Sequence, residues 1–249
     1  MGSLIGKIAV VTGASKGIGA GIAKGLAASG ASVVVNYATD RVGAERVVDA
    51  IVSAGGQAMA VQADVSVAAD VHRLFSETQH ALGPVDILVN NAGRFEFGPI
   101  ESIEEAQFHH HFNTNVLGVI LTTQEALKHF SPDGGSVVNI GTAGTEHPPA
   151  NGLLYVASKG ALNMITRVLA QELGPRNIRV NQINPGITDT EGNRRLGTME
   201  SEMLPQMIAR TALRRTGMPE DIAPVAVFLA SAEARWVTGE IIGASGGYS

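Results

Sequence analysis

The sequence predicts an α/β protein with a doubly wound parallel sheet of about seven strands and helices on both faces. Short, continuously apolar runs, such as residues 8–11 and 33–35, recur along the chain. Runs of this kind are typical of strands that are buried on both faces of a parallel sheet. Segments of helical periodicity separate them, and this alternation indicates a doubly wound sheet. No linker or internal repeat interrupts it, so residues 1–249 are predicted to form one domain.

Each element follows from its own pattern. The predicted strands cover residues 7–12, 32–36, 57–62, 86–90, 136–140, 178–183 and 240–242. The predicted helices cover residues 18–29, 41–54, 66–82, 102–130, 155–173 and 219–230. Gly30 is a natural stop for the first helix, and Ser66 is predicted to cap the start of the third. The polar region at about 188–216 is predicted to be a substrate loop with one or two short helices.

The composition excludes several classes of function. Hydrophobic residues make up 45% of the chain and charged residues 16%, as in globular proteins. A net charge of -5 and the lack of a basic cluster argue against nucleic-acid binding. No apolar run is long enough for a membrane span, and no signal-peptide pattern is present, so a cytoplasmic protein is predicted. Without cysteine, disulfide and thiolate chemistry are excluded.

Three consecutive histidines, His109, His110 and His111, invite a metal-binding interpretation. Consecutive residues of a helix point about 100° apart, so these side chains cannot converge on one ion. We therefore expect them to be solvated or to lie at an interface. No other spacing of His, Asp and Glu resembles a catalytic metal site, and no metal is expected.

A glycine-rich turn follows the first predicted strand. Its sequence, from Thr12 to Gly19, places Gly13, Gly17 and Gly19 between a strand and a helix. Glycines there allow a tight turn and a close approach of the backbone to phosphate, and the helix N-terminus offers free N–H groups. The turn therefore predicts a nucleotide site that binds a pyrophosphate.

The residues after the second predicted strand bear on the choice of cofactor. Binding of the adenosine ribose hydroxyls of NAD usually uses an acidic residue there, but this chain has Asn36 and Tyr37. Lys16 in the glycine turn could pair with a 2′-phosphate, with further contacts from Ser15 and from Thr39 and Arg41. These residues favour NADP(H), although NAD(H) remains possible if Lys16 is solvated and Asn36 tolerates both.

A tyrosine and a lysine lie four residues apart at the start of the helix predicted for residues 155–173. Tyr155 and Lys159 should therefore share one face of that helix. A free phenol has a pKa of about 10, and a neighbouring ammonium lowers the pKa by favouring the phenolate. The pair can serve as an acid/base device, although the same spacing occurs on many surface helices.

Together these motifs resemble the short-chain dehydrogenase/reductase family, including its 3-oxoacyl carrier-protein reductases. Five motifs occur in the family's order and cover essentially the whole chain. They are Thr12-Gly13-x3-Gly17-Ile18-Gly19, Asn90-Asn91-Ala92-Gly93, Asn115, Tyr155-x3-Lys159, and Asn184-Pro185-Gly186 with Thr190. The resemblance implies a Rossmann-type oxidoreductase.

The family resemblance also implies roles for individual residues. Tyr155 would be the general acid in carbonyl reduction, Lys159 would bind the nicotinamide ribose, and Asn115 would hold a water of the proton relay. Asp64 would contact the adenine, and the loop from Pro185 would hold the carboxamide. The residues expected to bind the cofactor are Gly13, Ser15, Lys16, Gly17, Ile18, Gly19, Asn36, Tyr37, Asp64, Val65, Asn91, Ala92, Gly93, Tyr155, Lys159, Pro185, Gly186, Thr188 and Thr190.

One position departs from the family pattern. The family has a serine thirteen residues before the catalytic tyrosine, whereas this chain has Thr142. Threonine keeps the hydroxyl that would hydrogen-bond the substrate oxygen, and its methyl group restricts the rotamer. We expect Thr142 to replace the serine as a fourth catalytic residue. The alternative is an impaired or repurposed site.

The resulting prediction is an NADP(H)-preferring enzyme that interconverts a ketone and a secondary alcohol by hydride transfer. One alternative within the family is a 3-oxoacyl-[acyl-carrier-protein] reductase. It is weakly supported by Lys128 and Arg176, which lie where the resemblance places basic residues of such reductases. Another is a nucleotide-binding scaffold or sensor without chemistry. The family resemblance further implies a homotetramer. The substrate is chosen by residues 94–98, 145–153 and 190–207, whose content suggests an apolar pocket.

Overall fold

In a computed structural model that describes residues 3–249, seven parallel strands form one sheet in the order β3-β2-β1-β4-β5-β6-β7. The strands are β1 (Ile8–Val11), β2 (Ser32–Tyr37), β3 (Gln57–Gln62), β4 (Ile87–Asn90), β5 (Gly135–Ile140), β6 (Ile178–Pro185) and β7 (Ile241–Ala244). The order reverses direction between β1 and β4, which is the switch point where ligands of such sheets bind. The predicted fold class is confirmed.

The main helices connect successive strands. They are α1 (Gly17–Ala28), α2 (Arg41–Ser53), α3 (Ala68–Ala81), α4 (Glu105–Phe112), α5 (Gly118–His129), α6 (Leu153–Leu173), α7 (Glu191–Arg195), α8 (Leu204–Ala209) and α9 (Pro219–Ala230). The two short helices α7 and α8 lie in the region between β6 and α9. No described helix is long and apolar enough to cross a membrane.

The sheet separates two hydrophobic clusters, because successive side chains of a strand point to opposite faces. Val11 and Val33 face the cluster that contains Leu26 of α1 and Leu229 of α9. Val10 faces the other cluster, to which α3, α5 and α6 contribute. The helices α1, α2 and α9 therefore cover one face, and α3, α5 and α6 cover the other.

Two local expectations were wrong. Residues 102–130 are not one helix, because a π-helical turn at Asn113–Leu117 separates α4 from α5. Ser66 does not cap α3, which begins at Ala68 after Val67. The Ser66 hydroxyl instead donates a hydrogen bond of 2.6 Å to Oδ1 of Asp64. In both places, side-chain contacts with other residues of the same chain, and not helix periodicity, determine the local structure.

Candidate active site

A cleft of about 460 Å³ lies at the carboxyl ends of the strands. Every residue in the list of expected cofactor contacts lines it, and so does Thr142, whereas Arg41, named as a further contact, does not. Asn115 is fully buried behind the cleft wall, and its neighbour Thr114 lines the cleft instead. The chain after each of the strands β1 to β6 contributes to the cleft.

The glycine turn is shaped for close approach of another group. Gly13 has a φ of 60°, and a Cβ on it would lie 2.8 Å from Cα of Ala92. The Asn91 side-chain amide donates hydrogen bonds of 2.9 Å to the carbonyl oxygens of Thr12 and Gly13. A Cβ on Gly19 would clash with this same amide. The turn is therefore held rigid with its N–H groups at the start of α1, as a pyrophosphate requires.

Asn36 is the second-last residue of β2 and has contacts that the sequence did not predict. It lines the cleft, but its side chain is buried and joins the chain after β1 to the chain after β3. Its Oδ1 accepts from the N–H of Gly13 at 3.1 Å, and its Nδ2 donates to the carbonyl oxygen of Ala63 at 3.1 Å. Asn36 therefore shapes the glycine turn. The following residues, Tyr37 to Asp40, also line the cleft.

Two carboxylates were missed by sequence reasoning: Asp40, which lines the cleft, and Glu191, which contacts the glycine turn. Asp40 Oδ2 lies 2.9 Å from the ammonium of Lys16, and the hydrogen bond between them is the main reason why the pKa of Asp40 lies below its ordinary value. Glu191 Oε2 accepts from the N–H of Gly17 at 3.0 Å. Asp40 could have been found from its place as the cap of α2, because Asp is a preferred N-cap residue. Glu191 carries no such signal.

Thr142 and Tyr155 both line the cleft. Thr142 is fixed from two sides, because its N–H donates to Oδ1 of Asn184 at 3.1 Å and its hydroxyl oxygen accepts from the N–H of Gly144 at 3.2 Å. Burial raises the pKa of Tyr155 above its ordinary value, and the Thr142 side chain offsets this only in part. The two hydroxyl-bearing side chains therefore belong to one site.

Lys159 lies on the same helix as Tyr155 and lines the same cleft. Its ammonium donates to the carbonyl oxygen of Ile140 at 2.7 Å, and burial lowers the pKa of Lys159 to about 8. The sequence predicts that Lys159 lowers the pKa of Tyr155, but the pKa of Tyr155 is raised in this structure. Desolvation of the phenol is the largest cause of the shift, and Lys159 is not among the causes.

Asn115 lies in the π-helical turn and is fully hydrogen-bonded. Its Oδ1 accepts from the N–H of Arg94 at 2.7 Å, and its Nδ2 donates to the carbonyl oxygen of Arg94 and to the hydroxyl of Ser158, both at 2.9 Å. A Cβ on Gly93 would lie 3.3 Å from both Oδ1 of Asn115 and Nζ of Lys159. The glycine therefore leaves a small polar space between these two side chains.

One side chain of the histidine run is more deeply buried than the sequence predicts. His111 is only 1% exposed, so the expectation of a solvated or interface histidine was wrong for it. Within residues 3–249 no three His, Cys, Asp or Glu side chains are grouped in a way that could hold a metal ion. The cleft therefore offers alcohol, phenol, ammonium and backbone N–H groups for its chemistry.

Fold and cleft agree with what known proteins show. A family model described as enoyl-(acyl carrier protein) reductase matches residues 13–249. An uncharacterized oxidoreductase of Methylorubrum extorquens is 53% identical over 247 residues, which are 99% of each chain. Versicolorin reductase of Emericella nidulans is 38% identical, over 98% of this chain and 96% of its own. A crystal structure of a short chain dehydrogenase from Burkholderia cenocepacia in complex with NADP is 37% identical, covers 99% of both chains and superposes with a TM-score of 0.92.

These similarities span the whole sheet and the whole cleft. They define the protein as an NAD(P)-dependent oxidoreductase that acts on carbonyl and alcohol groups. The chain belongs to the short-chain dehydrogenase/reductase family.

Proposed function

We propose that this protein is an NADP(H)-dependent carbonyl reductase in which Tyr155 protonates the substrate oxygen and Thr142 orients it. The observation that carries the proposal is that the side chains of Thr142 and Tyr155 line the same cleft, together with Lys159. A carbonyl oxygen placed between them receives one hydrogen bond from each. Such donors stabilise the negative charge that develops as a carbonyl is reduced.

The cofactor supplies the hydride in this proposal. The rigid glycine turn would hold its pyrophosphate, and the loop from Pro185 to Thr190 would hold its nicotinamide end. Preference for the 2′-phosphorylated form is supported by Lys16, the cation of the turn nearest to residues 37–40, and by the NADP complex of the Burkholderia relative. No carboxylate stands at the end of β2, whose last two residues are Asn36 and Tyr37.

Lys159 and Asn115 would return a proton to Tyr155 after each turnover. The lowered pKa of Lys159, about 8, makes proton loss from its ammonium feasible near neutral pH. The small polar space beside Gly93 separates Lys159 from Asn115 and is where a bridging water would fit. Both side chains are nearly or fully buried, so the path runs inside the protein.

Two rival functions are less well supported. For a carrier-protein reductase, Lys128 and Arg176 would have to be free for a partner. However, Lys128 pairs with Glu125 at 2.6 Å and Arg176 donates to the carbonyl oxygen of Leu127 at 2.9 Å. A scaffold without chemistry does not explain why Thr142, Tyr155 and Lys159 share one cleft.

The decisive experiment is an NADPH-oxidation assay with a panel of substrates. It compares apolar and aromatic ketones, small sugars and a 3-oxoacyl thioester, each with NADPH and with NADH. We expect turnover of ketones with a higher kcat/KM for NADPH. A preference for the thioester would favour the carrier-protein alternative, and no turnover of any carbonyl compound would refute the proposal.

A homotetramer in the cytoplasm is part of the same proposal. Met164 and Val168 of α6 are 52% and 53% exposed, Ile120 of α5 is 40% exposed, and Trp236 is 97% exposed. In a tetramer whose subunits pair through α5 and α6, as the family resemblance implies, the exposed apolar side chains of these two helices would be covered. Light scattering should give four times the mass of one chain, whereas a stable monomer would contradict the tetramer.

A further inference from the structure

Arg94 and Phe95 line the cleft next to the proposed general acid, and the chain continues from them to Gly98. The ring centres of Phe95 and Phe97 lie 6.2 Å and 5.9 Å from that of Tyr155, so two aromatic side chains flank it. We call Phe95 and Phe97 the aromatic wall, and residues 94–98 the wall segment. A substrate whose oxygen reaches Tyr155 would bind close to these two rings.

No helix or strand includes this segment, so its shape depends on individual hydrogen bonds. Alternate residues are anchored through their backbones. Arg94 is held by Asn115, the N–H of Glu96 donates to Nε2 of His111 at 3.2 Å, and the N–H of Gly98 donates to the carbonyl oxygen of Asn151 at 2.8 Å. The intervening residues, Phe95 and Phe97, are the ones whose rings reach Tyr155. The central anchor, between the two rings, is His111.

The hydrogen bonds of His111 fix its tautomer. Nδ1 lies 2.9 Å from the carbonyl oxygen of Gln107, which can only accept, so Nδ1 carries the proton. Nε2 is then an acceptor for the N–H of Glu96. His111 is 1% exposed, so Nε2 is a buried acceptor, and its removal takes this partner from the N–H of Glu96. His111 and Asn115 are four residues apart in sequence, and both reach the same segment of the wall.

The wall is also in contact with the region that closes the cleft from the other side. A Cβ on Gly192 of α7 would lie 2.7 Å from Cζ of Phe95, so the ring packs directly on the backbone of this short helix. Phe97 is half-exposed. Its position depends on the two backbone anchors beside it, at Glu96 and Gly98, and His111 supplies the first of them.

We propose that His111 is a positioning residue that sets the shape of the aromatic wall and thereby selects for flat, apolar ketones. This inference rests on the proposed function, because the wall acts next to Tyr155. His111 is buried and is not one of the proposed catalytic residues, so it would act by holding the wall segment in place. The apolar contact of a ketone with the wall is the same before and during hydride transfer, so loss of the wall should raise KM and leave kcat nearly unchanged.

Two substitutions of similar polarity separate this task from general packing. In His111→Gln the amide oxygen can reach the N–H of Glu96. In His111→Asn the shorter amide can still bond to Gln107 but cannot reach Glu96. If His111→Asn does not fold, His111→Phe, which lacks an acceptor and fills a similar volume, takes its place.

The first measurement is hydrogen exchange of the amides in residues 94–98, which requires no turnover. We expect the Glu96 amide to exchange about tenfold faster in His111→Asn, with His111→Gln close to the wild type. Equal exchange in all three proteins would overturn the inference. Because this readout is independent of activity, it can fail while the proposed function holds, and the reverse is also true.

The second measurement is steady-state kinetics with α-tetralone as an aryl ketone probe. We expect His111→Asn to raise its KM about tenfold, with kcat and the KM of NADPH within about twofold of the wild type. In a Phe97→Ala background the same substitution should add almost nothing, because residues that act through one contact are not additive. A full additional effect there, or a loss confined to kcat, would overturn the inference.

Discussion

At the scale of single residues, the hydroxyl of Thr142 is held where the substrate oxygen would bind. The hydrogen bonds from the N–H groups of Thr142 and Gly144 fix the turn, and the extra methyl of threonine restricts rotation further. A serine can reach the same acceptor and donor positions, whereas an alanine cannot. The chemistry of this position therefore depends on the oxygen and not on the methyl group.

We accordingly expect Thr142→Ala to lower kcat by about 10²–10³-fold, as for removal of an oxyanion-type donor. Thr142→Ser should stay within a few-fold of the wild type. Steady-state kcat with a saturating ketone and NADPH is the measurement. An alanine variant of near-native kcat would remove Thr142 from the proposed mechanism.

Asp40 allows a second residue-scale prediction. Its carboxylate competes with a 2′-phosphate for Lys16, at 2.9 Å. Asp40→Asn removes the competing charge and keeps a good cap for α2. Both side chains are partly exposed, so we expect only about a two- to fivefold rise in kcat/KM for NADPH, with NADH unchanged as an internal control. A fall for NADPH would mean that Asp40 instead orients Lys16 productively.

Residues that are fixed by the strand ends could be predicted from the sequence, and residues fixed by loop contacts could not. The glycine turn, Thr142 and the Pro185 loop converge because parallel strands end at one edge of the sheet. Asn36 lines the cleft as predicted, but its bonds to Gly13 and Ala63 could not be predicted, since these residues belong to two other segments. The sequence predicts His111 as a surface residue of a helix, whereas in the structure it is buried and bonded to residue Glu96 of the wall segment.

At the scale of elements, a ladder of buried polar side chains crosses the ends of β4, β5 and β6. Asn90 donates to Asn139 at 3.0 Å, Asn139 donates to Thr166 at 2.9 Å, and Thr166 donates to Gln182 at 3.1 Å. Gln182 then donates to Oδ1 of Asn184 at 2.7 Å, the same oxygen that holds the N–H of Thr142. Neighbouring strands are thus connected, side chain to side chain, up to the catalytic turn.

This ladder predicts that Asn184 supports both stability and catalysis. Asn184→Leu would leave the N–H of Thr142 without an acceptor and would remove one of the two acceptors of the Gln182 amide, at a cost of about 1–3 kcal/mol in the free energy of unfolding. It should also lower kcat, because the turn at Thr142 loosens. Asn184→Asp keeps the shared acceptor, but it loses the bond to Thr145 and buries a charge, so it is the control for kcat and not for stability. Urea unfolding and kcat are measured together; a leucine variant as stable as the wild type would exclude this role.

The break between α4 and α5 shows why element boundaries near the site escaped prediction. The apolar periodicity continues through Asn113–Leu117, yet the backbone there forms a π-helical turn. The side chain of Asn115 in this turn is bound to Arg94 and Ser158, which belong to other elements. Such turns occur frequently at functional sites, where tertiary contacts outweigh the preference for a regular helix. The residues of the turn alone do not indicate those contacts, because the partners are distant in sequence.

At the scale of the whole molecule, the helices on one face of the sheet are joined by a buried carboxylate. Glu125 of α5 lies 2.8 Å from His72 of α3, 2.6 Å from Lys128 and 3.4 Å from His129. Burial alone would raise the pKa of Glu125, but the hydrogen bonds from these three side chains outweigh it and hold the pKa at about 2. The folded protein therefore favours the charged form more strongly than the unfolded chain does.

The sign of the resulting pH dependence follows directly. A carboxyl group whose folded pKa of about 2 lies below its ordinary value of 4.5 adds stability above pH 4.5, and this is lost as the pH falls toward 2. Glu125→Gln should therefore be less stable than the wild type by about 1–2 kcal/mol at neutral pH, allowing for screening by solvent. The difference should shrink to near zero at about pH 2. Urea unfolding of both proteins across this range, at one protein concentration, measures it. A difference that does not change with pH would show that Glu125 contributes through packing and not through its charge.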